Sequence, residues 1–144
     1  MMPDEELNNA IDKLSLKEKI LYKGLLKRLK GGGRHSIKFV VALEDISKVI
    51  GWSGDAQKLY WDTKQNIPKQ DPNYDKALNI LNNGINMLDK ILIDFPTTTS
   101  TVYPMKEKLM TQIIDIEYLK KGVIKTQEEL SAEARRRINA VATP

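Results

Sequence analysis

A continuous apolar stripe runs through residues 71–95 and marks the longest regular element of the chain. Its members alternate spacings of four and three, which is the period of one face of an α-helix. They are Tyr74, Leu78, Leu81, Ile85, Leu88, Leu92 and Phe95. A second apolar set follows a neighbouring face, so we expect a central helix with packing partners on two sides. Asp71 as N-cap and Pro72 at the first helical position mark its start, and Pro96 ends it.

Residues 4–30 predict an N-terminal helix, or a pair of helices with a break near Leu14. The possible break is indicated by Ser15 and Glu18, which have the spacing of a capping box. The apolar stripe of this element consists of Leu7, Ile11, Leu14, Leu21, Leu25 and Leu29. The glycine run at residues 31–33 then ends the element.

Residues 36–67 predict short helices. The first of these, residues 36–50, suits a helix that Gly51 stops, although the β-branched and aromatic run 37–41 also suits a strand. We favour the helix. A second short helix is expected from Ser53 to about Ile67.

A C-terminal helical hairpin is predicted over residues 104–140. Pro104 is expected to start its first helix after the polar loop 97–104, because proline favours the first helical position. With the other elements, the pattern predicts an all-α protein. We expect an irregular four- to five-helix bundle that forms a single domain over residues 1–144.

The turn inside this hairpin has its own local signals. Gly122 is placed to adopt the left-handed conformation that closes many helices. Thr126 and Glu129 have the spacing of a capping box for the last helix. The apolar residues between them, Val123 and Ile124, are expected to plug the elbow between the two helices.

Composition indicates an ordinary globular chain. Its 144 residues are 41% hydrophobic and 29% charged, which is enough apolar content for one domain with a core. No apolar run approaches the roughly 20 residues that a membrane span needs. The acidic N-terminus lacks the apolar segment of a secretory signal, so we expect a cytoplasmic protein without a membrane partner. The sequence has no cysteine, which excludes disulfides and cysteine-based metal sites.

No pattern of residues predicts an enzyme. His35 is the only histidine, so a histidine-rich metal site is not available. Neither a Gly-x-Ser-x-Gly elbow nor a Walker-type phosphate loop occurs. Adjacent carboxylates such as Glu44 and Asp45 point in different directions on a helix. We therefore predict a non-enzymatic protein with no cofactor and no bound metal.

Basic residues concentrate near the N-terminus. The net charge is +4, and residues 1–38 carry nine lysines and arginines against five acids. The cluster around the glycine run comprises Lys27, Arg28, Lys30, Arg34, His35 and Lys38. Glycine would let backbone N–H groups approach a phosphate, and the cations would supply charge. The alternative is a helix C-terminus whose cations simply complement the helix dipole.

Two further groups are candidates for binding. Arg135, Arg136 and Arg137 spread around the last helix, so at least one must face away from any core. They would contact a phosphate or an acidic protein surface, or else belong to a solvated terminal helix. Trp52 and Trp61 could anchor an interface, but core packing is the favoured interpretation.

Three general features of the chain resemble those of a known group of proteins. Its lysine- and isoleucine-rich helices, the basic glycine turn at Gly31–Lys38 and the arginine-bearing tail are the features concerned. In these it resembles the small, cysteine-free helical-bundle proteins of archaeal viruses from hot acidic springs. That group includes virion proteins and a related inhibitor of host RNA polymerase. The resemblance implies a protein partner, with RNA polymerase as the concrete form, and a place in the host cytoplasm or the virion.

The sequence thus predicts an interaction protein that engages nucleic acid, or a machine that handles it, through basic surfaces. Nucleic-acid binding is expected to be weak and non-specific, because no aromatic stacking pattern joins the two basic ends. One alternative is a virion or assembly subunit that self-associates through helical faces. Another is a helix-turn-helix DNA-binding regulator, although residues 36–67 show no recognition helix rich in base-reading side chains. The oligomeric state is left open.

Overall fold

The computed structural model describes residues 37–142, which form four helices and one short hairpin. The elements are α1 (Ile37–Tyr60), β1 (Trp61–Asp62), β2 (Ile67–Pro68), α2 (Tyr74–Asp94), a 3-10 turn (Pro96–Thr98), α3 (Thr99–Lys120) and α4 (Gln127–Ala142). The two strands pair antiparallel, with Trp61 opposite Pro68. The predicted all-α bundle is confirmed for this part of the chain. The helix predicted over residues 4–30 lies outside the described residues.

The core lies where α1, α2 and α3 pack against one another. Leu81 and Leu88 of α2 are fully buried there, and Ile85 between them is 9% exposed. The middle of the central stripe is therefore confirmed as core, whereas its ends, Tyr74, Leu78, Leu92 and Phe95, are partly buried against that core. The last helix, α4, packs mainly against α3, where Leu130 and Ala134 form a smaller apolar cluster.

The start of α2 differs from the prediction. The helix begins at Tyr74, and Asn73 is its N-cap because the Asn73 Oδ1 accepts a hydrogen bond from the Lys76 N–H at 3.2 Å. The Asn73 N–H donates to the Leu59 carbonyl at 2.8 Å, which ties this residue to the end of α1. The predicted N-cap, Asp71, is therefore wrong, since it belongs to the connection between the two helices.

A single helix of 24 residues replaces the short helices predicted over residues 36–67. It continues through Gly51 and Gly54, both of which are exposed with no neighbour near the Cβ position. Each glycine costs a helix about 1 kcal/mol relative to alanine. The opposite face compensates, since Val49 is 1% exposed and Ala56 is fully buried. Core packing thus outweighs the local signal to stop, and the strand alternative is wrong as well.

The chain leaves α1 through a short hairpin instead of a second helix. Tyr60 is buried, whereas the adjacent Trp61 is half-buried and its Nε1 donates to the Asn66 Oδ1 at 3.3 Å. Asn66 has a φ of 56°, a left-handed conformation that asparagine tolerates in turns. Trp52 and Trp61 both pack partly against the core, as the favoured interpretation expected.

Pro104 lies inside α3, five residues after the helix begins, so the predicted start there is wrong. A proline removes the hydrogen bond to the carbonyl four residues earlier, here that of Ser100. Both residues are exposed, and water can reach the freed carbonyl. Val102 on the inner side is fully buried, which holds this first stretch of the helix against the core.

Gly84 of α2 lies close to side chains of both α1 and α3. A Cβ atom at this position would lie 3.0 Å from the Leu109 Cδ1 of α3 and 3.4 Å from the Val49 Cγ1 of α1. Glycine here therefore permits close packing. The asparagines around it, Asn79, Asn82, Asn83 and Asn86, are exposed on the other side of the helix.

No helix among the described residues is long and apolar enough to cross a membrane.

Candidate interaction site at the α3–α4 elbow

Of the predicted binding residues, those of the basic glycine run are not tested by the structure. Lys27, Arg28, Lys30, Arg34 and His35 lie outside the described residues. Lys38 falls in the first turn of α1. The arginines of α4 are described in full.

Arg137 forms hydrogen bonds within the protein. Its Nη2 and Nη1 donate to the two carboxylate oxygens of Glu117 on α3, at 2.8 and 3.2 Å. The same Nη2 also donates to the Glu133 Oε2 at 2.9 Å. These acceptors, Glu117 first, raise the pKa of the Arg137 guanidinium above its usual value. A paired fork of this kind fixes the position of α4 on α3.

The three arginines therefore have different roles. Arg135 Nε lies 3.5 Å from the Glu107 Oε1, which forms a second link between α4 and α3. Arg136 is exposed and has no ion pair or hydrogen bond with any described residue. It lines a cavity of about 320 Å³ together with Tyr118, Lys125 and Glu133. Only Arg136 of the three is free, within the described chain, to meet an outside partner.

Tyr118 organises the charged side chains at the end of α3. Its hydroxyl donates to the Glu133 Oε1 at 2.8 Å, and this bond raises the pKa of the Tyr118 phenol. The ammonium groups of Lys125 and Lys121 lie 5.1 and 5.9 Å from the ring centroid. At these distances the ring attracts both cations. Two lysines of the elbow therefore lie beside the Tyr118 ring.

The backbone of the elbow is held by a complete helix-ending motif. Gly122 has a φ of 76°, the left-handed conformation predicted for it. Its N–H donates to the Leu119 carbonyl at 3.0 Å, and the Val123 N–H donates to the Tyr118 carbonyl at 3.0 Å. This pair of hydrogen bonds is the Schellman motif. The exit from α3 is therefore a defined turn.

The predicted capping box at the start of α4 is also confirmed. The Glu129 N–H donates to the Thr126 Oγ1 at 3.2 Å, and the Thr126 N–H donates to the Glu129 Oε1 at 3.4 Å. The Thr126 hydroxyl donates to the same oxygen at 3.0 Å. These bonds lower the pKa of the Glu129 carboxyl. Both ends of the elbow are thus fixed by backbone hydrogen bonds.

The apolar residues of the elbow do not plug it, which corrects the sequence prediction. Val123 is 39% exposed and Ile124 is 66% exposed. The contact between α3 and α4 is filled by Ile114, Leu130 and Ala134, which leaves the elbow residues outside it. The side chain of Ile124 is thereby exposed to water at the turn between the two helices.

We define the elbow surface as this exposed pair and the cations around it. Its members are Lys120, Lys121, Val123, Ile124, Lys125 and Arg136. The Lys120 Nζ lies 3.8 Å from the Asp75 Oδ1, and the Lys125 Nζ lies 3.4 Å from the Glu129 Oε2. Lys121 has no acidic partner among the described residues. The sequence showed the local turn, but the exposure of the apolar pair required the packing of α4.

A buried pair of hydrogen-bonded polar side chains lies between α1 and α3 and has a structural role. The Ser53 hydroxyl donates to the Gln112 Oε1 at 2.6 Å, and the Gln112 Nε2 donates to the Ser53 carbonyl at 2.9 Å. Burial raises the pKa of the nearby Tyr60 to about 12, and Gln112 acts in the opposite direction on that pKa. These groups satisfy one another and join α1 to α3.

Residues 37–142 contain no group of three or more His, Cys, Asp and Glu side chains that could hold a metal ion.

Comparison with known proteins finds no matching family model, no matching curated protein and no matching solved structure. The resemblance to archaeal viral proteins accordingly stays a prediction. What the elbow surface can do is inferred from its own geometry.

Proposed function

We propose that this chain is a non-enzymatic interaction protein that binds an acidic protein surface through the elbow surface. The observation that supports this most directly is the exposure of Ile124, 66%, beside the lysines of the α3–α4 turn. The fold does not require an apolar residue there, since the α3–α4 contact is filled by other side chains. A single exposed apolar residue is common on protein surfaces, so the support comes from the pairing of Ile124 with Val123 and from the lysines beside this pair.

The chemistry of the elbow surface favours a protein over bare nucleic acid. Protein interfaces combine an apolar centre with a polar rim, and complementary charges steer the two partners together. Val123 and Ile124 would form the centre, and the lysines the rim. Contacts to a phosphate backbone are polar and give an apolar pair nothing to bury. The viral resemblance implies a nucleic-acid-handling machine, host RNA polymerase, as the concrete partner.

Replacing Val123 and Ile124 by serine is expected to weaken partner binding by at least about tenfold, or about 1.4 kcal/mol. Both side chains are exposed, so each change should cost folding less than about 0.5 kcal/mol. The measurement is capture of partners from a lysate of cells that contain the protein, identified by mass spectrometry. Affinity for the captured partner is then measured with purified proteins.

The matched control is Ile93→Ser, because Ile93 is 77% exposed on α2, away from the elbow. A partner kept by the wild type and by this control but lost by the elbow variant supports the proposal. Equal capture by all three proteins would overturn it. Light scattering over a range of concentrations covers the assembly alternative. Oligomers that grow with concentration, and that the elbow variant abolishes, would replace the proposal with self-association.

The basic glycine run is expected to give the chain a weak, sequence-independent affinity for duplex DNA. Replacing Arg28, Lys30, Arg34 and Lys38 by serine should weaken this binding by at least about tenfold and flatten its dependence on salt. The melting temperature should stay within about 4–8 °C, the shift that about 1 kcal/mol produces in a small domain. Fluorescence anisotropy at several salt concentrations measures the effect.

The matched control removes the same charge elsewhere, by replacing the exposed Lys58, Lys64, Lys69 and Lys76 with serine. We expect this variant to bind DNA more tightly than the glycine-run variant does. Equal losses in the two variants would show that only net charge matters. Tight binding to one duplex sequence would instead favour the DNA-binding regulator.

A further inference from the structure

An open groove lies between the first turns of α1 and the last turns of α2. It encloses about 670 Å³, and its lining combines apolar residues such as Val41, Met87 and Phe95 with the polar Asn83 and Asn86. Val41 is 47% exposed, which is unusual for a valine facing the side of a packed helix pair. The groove therefore contains apolar side chains that the described helices leave uncovered.

The rim of the groove carries an excess of acid. Asp45 and Asp94 lie on it with one lysine, Lys90. Asp45 has a distant ion pair with Lys48 at 3.8 Å, and Asp94 has none with any described residue. An occupant with an apolar stripe and basic flanks would match this surface.

We propose that the groove is the docking site for this chain's own residues 15–30. Their sequence predicts a helix with Leu21, Leu25 and Leu29 on one face. They carry six lysines and arginines against a single acid, Glu18. The leucine stripe would fill the groove, and the basic residues beside it would meet Asp45 and Asp94.

Chain connectivity supports this occupant over a foreign one. The described chain starts at Ile37, four residues before Val41 on the groove. Residues 31–36 lie between, and six residues reach at most about 20 Å. Three of them are glycines, which favour a sharp reversal of the chain. A helix that returns antiparallel beside α1 would lie over the groove and add a fourth helix to the core.

Engineered disulfides test the proposal directly, because the natural chain has no cysteine. We would pair Met87→Cys in turn with Leu21→Cys, Leu25→Cys and Leu29→Cys in the full-length protein. A disulfide needs the two Cα atoms within about 7 Å, so at least one pair should close within a single chain. The matched control pairs the same three cysteines with Ile93→Cys, which is exposed elsewhere on α2.

An intramolecular disulfide with Met87→Cys and not with Ile93→Cys supports the proposal. Disulfide-linked dimers would overturn it and assign the groove to a second copy, and free thiols in all pairs would overturn it as well. Hydrogen exchange guards against a variant that fails to fold. Replacing Leu21, Leu25 and Leu29 by serine should speed exchange of the amides of residues 41–45 and 87–95 by at least about tenfold. Unchanged exchange there would contradict the proposal.

Discussion

Replacing Leu88 by alanine is expected to lower the free energy of unfolding by about 2–5 kcal/mol, the largest effect that we predict. Leu88 of α2 is fully buried and belongs to the core cluster that α1, α2 and α3 form. Truncation removes its transfer free energy and leaves a cavity that a close-packed core fills only in part. Urea denaturation, with the slope of the transition compared between variants, measures the change.

The control for this prediction is Ile93→Ala on the same helix. Ile93 is 77% exposed, so its truncation should change stability by less than about 0.5 kcal/mol. Helix propensity changes in the same direction in both variants, and the difference between them isolates burial. A loss below about 1 kcal/mol for Leu88→Ala would mean that the central stripe is not core.

Replacing Asp115 by asparagine is expected to stabilise the protein by about 1–2 kcal/mol at pH 8 and to have almost no effect at pH 4. Asp115 is half-buried on α3 between the fully buried Ile114 and Ile116. It has no hydrogen bond or ion pair with a described residue, and burial raises its pKa to about 6. The expected stabilisation is smaller than the full shift in pKa would give, because the Asp115 side chain keeps some contact with water.

The direction of this pH dependence follows from the raised pKa. The ordinary pKa of the carboxyl is 3.8, so the folded protein holds the proton more tightly than the unfolded chain does. The associated stability is fully present below pH 3.8 and is lost as the pH rises through about 6. Above that value the wild type carries the cost of a poorly solvated charge, whereas asparagine does not.

Urea denaturation of both proteins between pH 4 and 8 measures the effect. Asp55→Asn is the control, since Asp55 is exposed on α1 and the change removes the same charge from the surface. NMR titration of the Asp115 carboxyl carbon reports its pKa independently of stability. Identical pH profiles for wild type and Asp115→Asn would refute the prediction.

Local sequence signals predicted those parts of the structure that depend on a few neighbouring residues. The left-handed Gly122 and the Thr126–Glu129 capping box both appear where the spacing placed them. The inner face of α2 follows its apolar period, as the burial of Leu81 and Leu88 shows. In each case the interaction joins residues within one or two helical turns, so the sequence contains all of it.

Local sequence signals gave wrong helix boundaries where packing between segments far apart in the chain determined the structure. Gly51 does not stop α1, because the buried face of that helix contributes more than a glycine costs. Pro104 does not start α3, because Val102 before it is already held in the core. The expectation for Asp71 failed because Asn73 bonds instead to the end of α1.

The sequence by itself therefore determined an all-α chain, its main stripe and the turn between the last two helices. It also indicated that basic residues concentrate near the N-terminus and on the last helix. For the arginines of the last helix, only the tertiary structure decided which are available to a partner. Arg137 and Arg135 are used in ion pairs to α3, whereas Arg136 and the apolar Ile124 remain outside. That division depends on how α4 lies on α3, which is set by contacts between residues far apart in the chain.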